Sequence, residues 1–269
     1  MPSLAPLERH RLGKRQYRLL RPQGQPSGDL LLALHGSKQS GSVLQRFSAG
    51  SFDRFAALGW TVCYPDGVAN HWNDDRVHLA ERTREEGTDD VGFLEALIAH
   101  LKPQRIAAVG FSNGAMMVLS LLYRRPGLLS AAALLSATHP AASNWRCDAQ
   151  GFQPTPLFCQ HGLNDPIVPF AGGRAGMPGQ DRGELLSFDA SCELLAKLNN
   201  AKLIRSTHPR RYAGDAPLEA WALPNEGHVI PSLHPVTSPL LGPASGTVDL
   251  GGHLEQFLLS LDDAAARTH

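Results

Sequence analysis

The chain has 269 residues, and 25 Lys and Arg balance 25 Asp and Glu at a formal net charge of zero. Without a basic excess we expect no nucleic-acid partner and no membrane partner, and a neutral substrate is the simpler expectation. The first twenty residues carry charges and no apolar core, which as written indicates a cytoplasmic protein. A protein trimmed of its leader would look the same and would be secreted or periplasmic. The oligomeric state stays open.

A chain of this length could form two domains, but we favour a single α/β domain over residues 1–269. The four cysteines lie far apart without C-x-x-C spacing, so no zinc site is expected, and neither a metal nor a cofactor is predicted. Cys63 and Cys159 fall in apolar runs, which predicts buried thiols. Cys147 and Cys192 lie outside strands and could pair in an oxidising compartment.

Predicted strands and helices alternate along the chain, as in a mostly parallel sheet. Short apolar runs bounded by Gly, Pro or polar residues predict strands at 15–21, 29–34, 61–64, 105–109, 131–135, 156–160 and 218–223. Apolar residues at helical spacing predict helices at 47–58, from Thr88 to 101, from 115 to about 125, at 185–198 and at 254–261. Segments 68–87, 138–155 and 174–182 are predicted to be loops.

The strongest motif is Gly110-Phe111-Ser112-Asn113-Gly114, between a predicted strand and a predicted helix. Glycine is needed at both ends because a Cβ there would collide with the neighbouring strand or helix. The turn would hold Ser112 under strain with its hydroxyl exposed, which predicts a nucleophile. The amide of Asn113 would lie at a helix N-terminus, where it can receive a developing oxyanion.

A second oxyanion donor is expected just after the apolar run 29–34. Ligands of open α/β sheets bind beyond the carboxyl ends of the strands, so the amides of Gly36, Ser37 and Lys38 are the candidates. Of these three we predict Ser37. His35 precedes this loop, and we expect it to brace the loop through hydrogen bonds rather than to act as a catalytic base.

The acid and the base of such a site follow the serine in the order serine, acid, histidine. Asp165 lies in the loop after the run 156–160, although Asp before Pro is also a common turn former. Among twelve histidines, His228 is the one in a glycine-containing loop directly after the predicted strand 218–223. We therefore predict a triad of Ser112, His228 and Asp165.

Three aromatic residues lie on predicted loops beside this site: Trp72, Trp145 and Phe170. They could form a substrate-binding wall, but large aromatic residues often pack in a core instead. The connection 138–155 is short and polar and lacks the amphipathic helix of a lipase lid. We therefore expect an open cleft without a large lid, suited to bulky aromatic or oligomeric hydroxyacid esters.

Several short motifs occur in order between residues 31 and 231: LHGSKQSG, YPDG, WNDDR, DDVGFLEALI, GFSNGAM, HGLNDPIVPF and EGHVIP. Together they resemble the poly(3-hydroxybutyrate) depolymerase and feruloyl esterase family of α/β-hydrolases, the group that contains LpqC-type esterases. The resemblance implies an α/β-hydrolase fold with a mostly parallel central sheet and helices on both faces. It also implies the nucleophile, acid, base and oxyanion amides already chosen: Ser112, Asp165, His228, Ser37 and Asn113.

These features predict a serine esterase that forms an acyl-enzyme on carboxylic esters. Feruloyl-type aromatic esters, hydroxyalkanoate oligomers and polyesters are the expected substrates. The same triad also serves peptidases, thioesterases and acyltransferases, which remain alternatives. A non-catalytic binding or scaffold protein is a further alternative, against which an intact Ser112, Asp165 and His228 argue.

Overall fold

The computed structural model describes residues 4–266, and side chains as far as residue 262. Ten strands of this region form one sheet and two form a separate hairpin. The strands are β1 Glu8–Leu12, β2 Arg15–Leu20, β3 Leu30–Leu34, β4 Thr61–Pro65, β5 Ile106–Phe111, β6 Ala131–Leu135, β7 Leu157–Gly162, β8 Gly173–Met177, β9 Gln180–Leu185, β10 Lys202–Arg205, β11 Arg210–Ala213 and β12 Leu218–Leu223.

Seven α-helices accompany these strands in the described residues. They are α1 Gly41–Phe47, α2 Arg54–Ala57, α3 Arg82–Glu85, α4 Asp90–Leu101, α5 Asn113–Arg124, α6 Phe188–Leu198 and α7 Leu250–Ala266. Two short 3₁₀ turns lie at Ala142–Asn144 and Pro239–Leu241. Among the helices that the structure describes, none is both long and apolar enough to cross a membrane.

The large sheet has the strand order β1-β2-β4-β3-β5-β6-β7-β12-β11-β10. Its centre, from β4 to β12, is parallel throughout. Two antiparallel strands extend it on either side, β1 and β2 at one edge and β11 and β10 at the other. The parallel strands all point their carboxyl ends to one edge of the sheet, so the loops that follow them meet there.

The sheet is covered on both faces, because successive side chains of each strand point to opposite sides. In β3, Leu30, Leu32 and Leu34 pack into the core that α4, α5 and α6 cover. Leu31 and Ala33 pack into the opposite core, with α1, α2 and α7. This is why β3 reads as a continuous apolar run in the sequence.

The predicted helix at 47–58 is wrong. Helix α1 begins earlier, at Gly41, where the Ser40 side chain accepts a hydrogen bond from the Val43 amide, and it ends at Phe47. Ala49 and Gly50 then take φ values of 51° and 73°. A right-handed helix cannot continue through such residues, and in the rest of the predicted range only the four residues of α2 are α-helical.

The predicted loop at 174–182 is also wrong, because it forms most of the β8–β9 hairpin. Its many Gly residues and its Pro concealed the pairing. Three polar strands, β1, β10 and β11, were not predicted either, since they lack apolar runs and rely on backbone pairing with a neighbour. The predicted loop at 68–87 contains the single turn α3.

Candidate active site

Ser112 lies between the end of β5 and the start of α5, at the carboxyl edge of the sheet. Its φ of 55° and ψ of −115° are unusual for a residue with a side chain. Its amide donates a hydrogen bond to the Leu135 carbonyl, which holds the turn against the next strand. The strained backbone turns the hydroxyl away from the sheet, and the side chain is partly exposed.

The glycines on either side of Ser112 allow close backbone contact. A Cβ on Gly110 would lie 2.3 Å from the Gly114 carbonyl oxygen, and a Cβ on Gly114 would lie 2.1 Å from the Leu34 carbonyl oxygen. Real Cβ atoms do not approach backbone oxygens so closely. Helix α5 can therefore start directly against β3 only with glycine at these two positions, as the sequence predicted.

We expect Gly114→Ala to destabilise the protein by at least about 2 kcal/mol, because rigid backbone at Leu34 would have to move. Denaturant unfolding would measure the loss. Gly151→Ala is the matched control, since open space surrounds Gly151 and only its φ of 78° opposes a side chain. A Gly114→Ala protein no less stable than the control would contradict the steric argument.

Two amides beside Ser112 have no acceptor among the described residues, those of Ser37 and Asn113. The other two candidate amides in the loop after β3 already donate hydrogen bonds. The Gly36 amide donates to Gln39 Oε1, and the Lys38 amide donates to the Asn70 carbonyl. Ser37 and Asn113 both line the pocket in front of Ser112, so their amides are available to a negatively charged oxygen.

The structure brings Ser112, His228 and Asp165 into one chain of hydrogen bonds. Ser112 Oγ lies 2.9 Å from His228 Nε2, and His228 Nδ1 lies 2.7 Å from Asp165 Oδ2. With Nδ1 protonated toward the carboxylate, Nε2 is free to accept the proton of the hydroxyl. This is the geometry by which a histidine can activate a serine.

Asp165 combines the two roles that its sequence context suggested. Its Oδ1 accepts hydrogen bonds from the amides of Ile167 and Val168, as in an Asx turn, and its Oδ2 faces His228. Burial raises the pKa of Asp165, but the nearby His228 and these hydrogen bonds outweigh it and hold the pKa below its ordinary value. The carboxyl group is therefore ionised at neutral pH.

The loop that carries His228 is fixed by backbone bonds to a later segment. The Gly227 amide donates to the Pro243 carbonyl, and the His228 amide donates to the Leu241 carbonyl. A Cβ on Gly227 would lie 2.1 Å from the Leu241 oxygen, so the contact requires glycine. The histidine thus stands on a loop held in place on both sides.

The expectation that Trp72 forms a substrate-binding wall is corrected by its burial. Its side chain is fully buried, and its Nε1 donates to the His35 carbonyl at 3.0 Å. Its backbone exchanges two hydrogen bonds with the Asn113 side chain, whose Nδ2 also donates to Asp74. Trp72 therefore ties the loop after β4 to the start of α5 beneath the site.

The other two predicted wall residues, Trp145 and Phe170, also lie outside the lining of the Ser112 pocket. Trp145 packs against Tyr123 and His139, with ring centroids about 5.4 Å apart in both pairs. Phe170 packs with Phe188 in a similar cluster. Both are drawn inward by apolar neighbours from other elements, which no loop sequence reveals.

The pocket in front of Ser112 has a volume of about 150 Å³ and is more enclosed than the predicted open cleft. The β8–β9 hairpin forms one wall of it, and the Gly176 amide donates to the Ile167 carbonyl to hold the hairpin there. The sequence did not predict the wall residues that come from this hairpin and from the loop after β4. They are Ala175, Gly176, Met177, Gln180, Arg182 and Arg76.

No strong sequence signal marked these wall residues. Arg76 is the last residue of the WNDDR motif, and that motif was the one sign that could have drawn attention to it. The sequence predicts a loop at Arg182, and nothing in that segment distinguishes it from a surface arginine.

His35 braces the loop that carries Ser37, as predicted. Its Nδ1 bonds to the Gly36 carbonyl at 2.8 Å, and its Nε2 accepts the Gly67 amide at 2.9 Å. This pattern requires a neutral imidazole, because Nε2 must keep its lone pair. Complete burial lowers the pKa of His35 to about 4, and the hydrogen bond to the Gly36 carbonyl opposes this effect only in part.

We expect the free energy of unfolding to fall as the pH decreases from about 6.5 to about 4. The unfolded histidine takes up its proton near pH 6.5 while folded His35 remains neutral, so protonation favours the unfolded chain by about 3 kcal/mol at pH 4. Denaturant titrations at several pH values would give the slope of the free energy of unfolding against pH. We expect this slope to be smaller for His35→Gln than for wild type. The exposed His234→Gln should keep the wild-type slope, and equal slopes for all three proteins would contradict the assignment.

The four cysteines are free thiols, so Cys147 and Cys192 do not pair in this structure. Cys192 lies instead beside Cys159, and their hydrogen bond and burial raise the pKa of the Cys192 thiol. Cys63 and Cys159 are buried, as predicted. Within residues 4–266, no three His, Cys, Asp or Glu residues come together in a way that could hold a metal ion.

Sequence comparisons find ester hydrolases. Residues 80–177 match the family described as Phospholipase/Carboxylesterase. NocK of Nocardia uniformis subsp. tsuyamanensis, a candidate esterase, is 30% identical over 157 residues, which cover 56% of this chain and 43% of NocK. The acetylxylan esterase of Coprinopsis cinerea is 32% identical over 144 residues, which cover 49% of this chain and 36% of that enzyme. The chain thus spans less than half the length of these curated relatives.

Similar solved structures cover nearly the whole chain. A carboxylesterase from Mesorhizobium loti has a TM-score of 0.57 at 20% identity, covering 93% of this chain and 98% of its own. An acetyl xylan esterase from Aspergillus awamori has a TM-score of 0.55 at 13% identity, covering 84% of this chain and 95% of its own. At such identities the likeness concerns the fold. The prediction is confirmed: this chain has the α/β-hydrolase fold.

Proposed function

We propose that this protein is a serine esterase that hydrolyses carboxylic esters. The observation that carries the proposal is the continuous hydrogen-bond chain from Ser112 through His228 to Asp165. The esterase descriptions of the matched family and of the two curated relatives support it. In this proposal Ser112 is the nucleophile, His228 is the general base and Asp165 orients the imidazole.

The reaction would proceed in two halves. His228 accepts the proton of Ser112 as Oγ attacks the ester carbonyl carbon, and the carbonyl oxygen becomes negatively charged. The free amides of Ser37 and Asn113 would stabilise this oxyanion. His228 then gives its proton to the departing alcohol, which leaves an acyl-enzyme. Water, deprotonated by His228, releases the acid and restores Ser112.

The volume of the pocket limits the size of the ester group that can bind in it. A volume of about 150 Å³ accommodates a short acyl or alcohol group, and the remainder of a longer ester would extend past the hairpin. The aromatic residues expected to bind a ferulic ring do not line it. Of the substrates that the motif resemblance implies, we therefore propose short hydroxyalkanoate oligomers ahead of feruloyl esters.

An activity panel tests this proposal. It would include 4-nitrophenyl esters of increasing acyl length, methyl ferulate, oligomers of 3-hydroxybutyrate and matched amide substrates. We expect the short esters and the oligomers to be cleaved faster than methyl ferulate and the amides. Faster cleavage of amides would favour a peptidase.

Labelling with a fluorophosphonate probe separates an enzyme from a non-catalytic scaffold. We expect covalent modification of Ser112, located by peptide mass spectrometry, and none in the Ser112→Ala protein. Wild-type protein that is neither labelled nor active on any ester would refute the proposed function.

A further inference from the structure

The charged residues that line the Ser112 pocket are all cationic apart from the titratable His228. They are Lys38, Arg76 and Arg182, and no Asp or Glu among the described residues lines the pocket. The lysine is exposed, but the two arginines retain only 5% and 7% of their accessible surface. Buried guanidinium groups are uncommon unless they are paired, because the burial of an unpaired charge costs free energy.

Each buried arginine forms an ion pair with one carboxylate that does not line the pocket. Arg76 donates from Nε and Nη2 to Asp74, whose carboxylate also accepts from Asn113. Arg182 donates from Nη2 to Glu81. These pairs fix the guanidinium planes and offset the cost of burial.

Each of the two guanidinium groups has N–H donors that its carboxylate partner does not use. Among the described residues, Nη1 of Arg76 and both Nε and Nη1 of Arg182 have no hydrogen-bond acceptor. None of these nitrogens is a fully buried atom that lacks a partner. They therefore retain access to solvent. Arg76 lines the Ser112 pocket, and Arg182 lines both this pocket and a neighbouring surface pocket on the other side of the hairpin loop 179–181.

The backbone around Arg182 is also rigid. Asn144 donates from Nδ2 to the carbonyls of Arg182 and Glu184, which anchors β9 to the 3₁₀ turn. The Gly183 amide donates to the Asp181 side chain. The hairpin therefore presents Arg182 to the pocket from a fixed position.

We propose that Arg76 and Arg182 bind a carboxylate group of the substrate, so that the enzyme prefers anionic esters. A guanidinium fork matches the two oxygens of a carboxylate, and hydrogen bonds between charged groups are about twice as strong as neutral ones. This deepens and rests on the proposed esterase function. It replaces the expectation of a neutral substrate, which rested on the overall charge balance alone.

Two kinds of ester would carry the carboxylate. In a half-ester of a dicarboxylic acid it lies on the acyl side, whereas in an O-acylated hydroxy acid it lies on the departing alcohol. Monomethyl succinate with its neutral partner dimethyl succinate represents the first kind. Acetoxybutyrate and its neutral methyl ester represent the second kind. For this pair, cleavage of the acetyl ester is measured as the acetate that is released.

The test compares kcat/KM for each anionic ester with that for its neutral partner. We expect Arg182→Gln to lower the anionic-to-neutral ratio about 10- to 100-fold for at least one pair, as loss of a charged hydrogen bond does. Arg182→Lys should lower it less, because the charge remains. Arg174→Gln is the matched control, since Arg174 lies on the same hairpin, pairs with Asp181 and does not line the pocket. It should leave the ratio unchanged.

A binding measurement separates this inference from the proposed function. We expect the Ser112→Ala protein to bind at least one anionic ester at least about tenfold more tightly than its neutral partner by calorimetry, and Arg182→Gln in that background to remove the difference. Two results would overturn carboxylate recognition while leaving the esterase function intact. One is equal affinity for the anionic and the neutral ester of each pair, and the other is an unchanged anionic-to-neutral ratio of kcat/KM in folded Arg182→Gln. Preferential binding without any ester cleavage would instead retain the inference and refute the function.

Discussion

Replacing Ser112 with alanine is expected to lower the rate of ester hydrolysis by about 10⁶, with the fold unchanged. The hydroxyl would be the attacking group, and removal of a triad serine has a cost of this order. The side chain is small and partly exposed, and it contributes one hydrogen bond, to His228. Initial rates on a short 4-nitrophenyl ester would measure the loss.

Ser130→Ala serves as the control for this substitution, since Ser130 is exposed, immediately precedes β6 and does not line the pocket. It should retain the wild-type rate. The thermal unfolding of both variants should match that of wild type. A folded Ser112→Ala protein that retained activity within tenfold of wild type, with contaminating esterase excluded by the probe, would remove Ser112 from the reaction.

Asp165→Asn should lower kcat by about 10⁴ at neutral pH. An amide in place of the carboxylate can donate to Nδ1 of His228, which would leave the proton on Nε2 and block it from accepting the proton of Ser112. The low pKa of Asp165 means that wild type carries the carboxylate throughout the neutral and mildly acidic range. The deficit should therefore persist across that range.

A pH profile of kcat from about 5 to 9 would check this second prediction. The matched control is Asp189→Asn, because Asp189 is exposed on α6 and pairs with Arg210 outside the pocket. We expect wild-type kinetics for it. Loss of less than tenfold in Asp165→Asn would indicate that another group orients His228. The nearby His161, whose Nε2 lies 3.6 Å from Asp165 Oδ2 but bonds to the Val168 carbonyl, would then be the next residue to substitute.

The sequence by itself determined the parallel centre of the sheet and the turn at Ser112. Apolar runs of five or six residues mark strands buried on both faces, and the two glycines mark a turn that only glycine permits. These are local properties, since they depend on a few consecutive residues. Chain order after the strands was then enough to choose Asp165 and His228, because parallel strands deliver their loops to one edge.

Tertiary structure alone decided the walls of the pocket. Whether Trp72 faces solvent or core depends on His35 and Asn113, which are distant in sequence and supply its hydrogen bonds. The hairpin that carries Arg182 pairs through its backbone, and its Gly residues conceal that pairing in the sequence. Arg76 and Arg182 reach one pocket only because the loop after β4 and the β8–β9 hairpin converge there. Long-range contacts of this kind have no local pattern, so the sequence could predict the hydrogen-bonded set Ser112, His228 and Asp165 but not the residues that line the pocket.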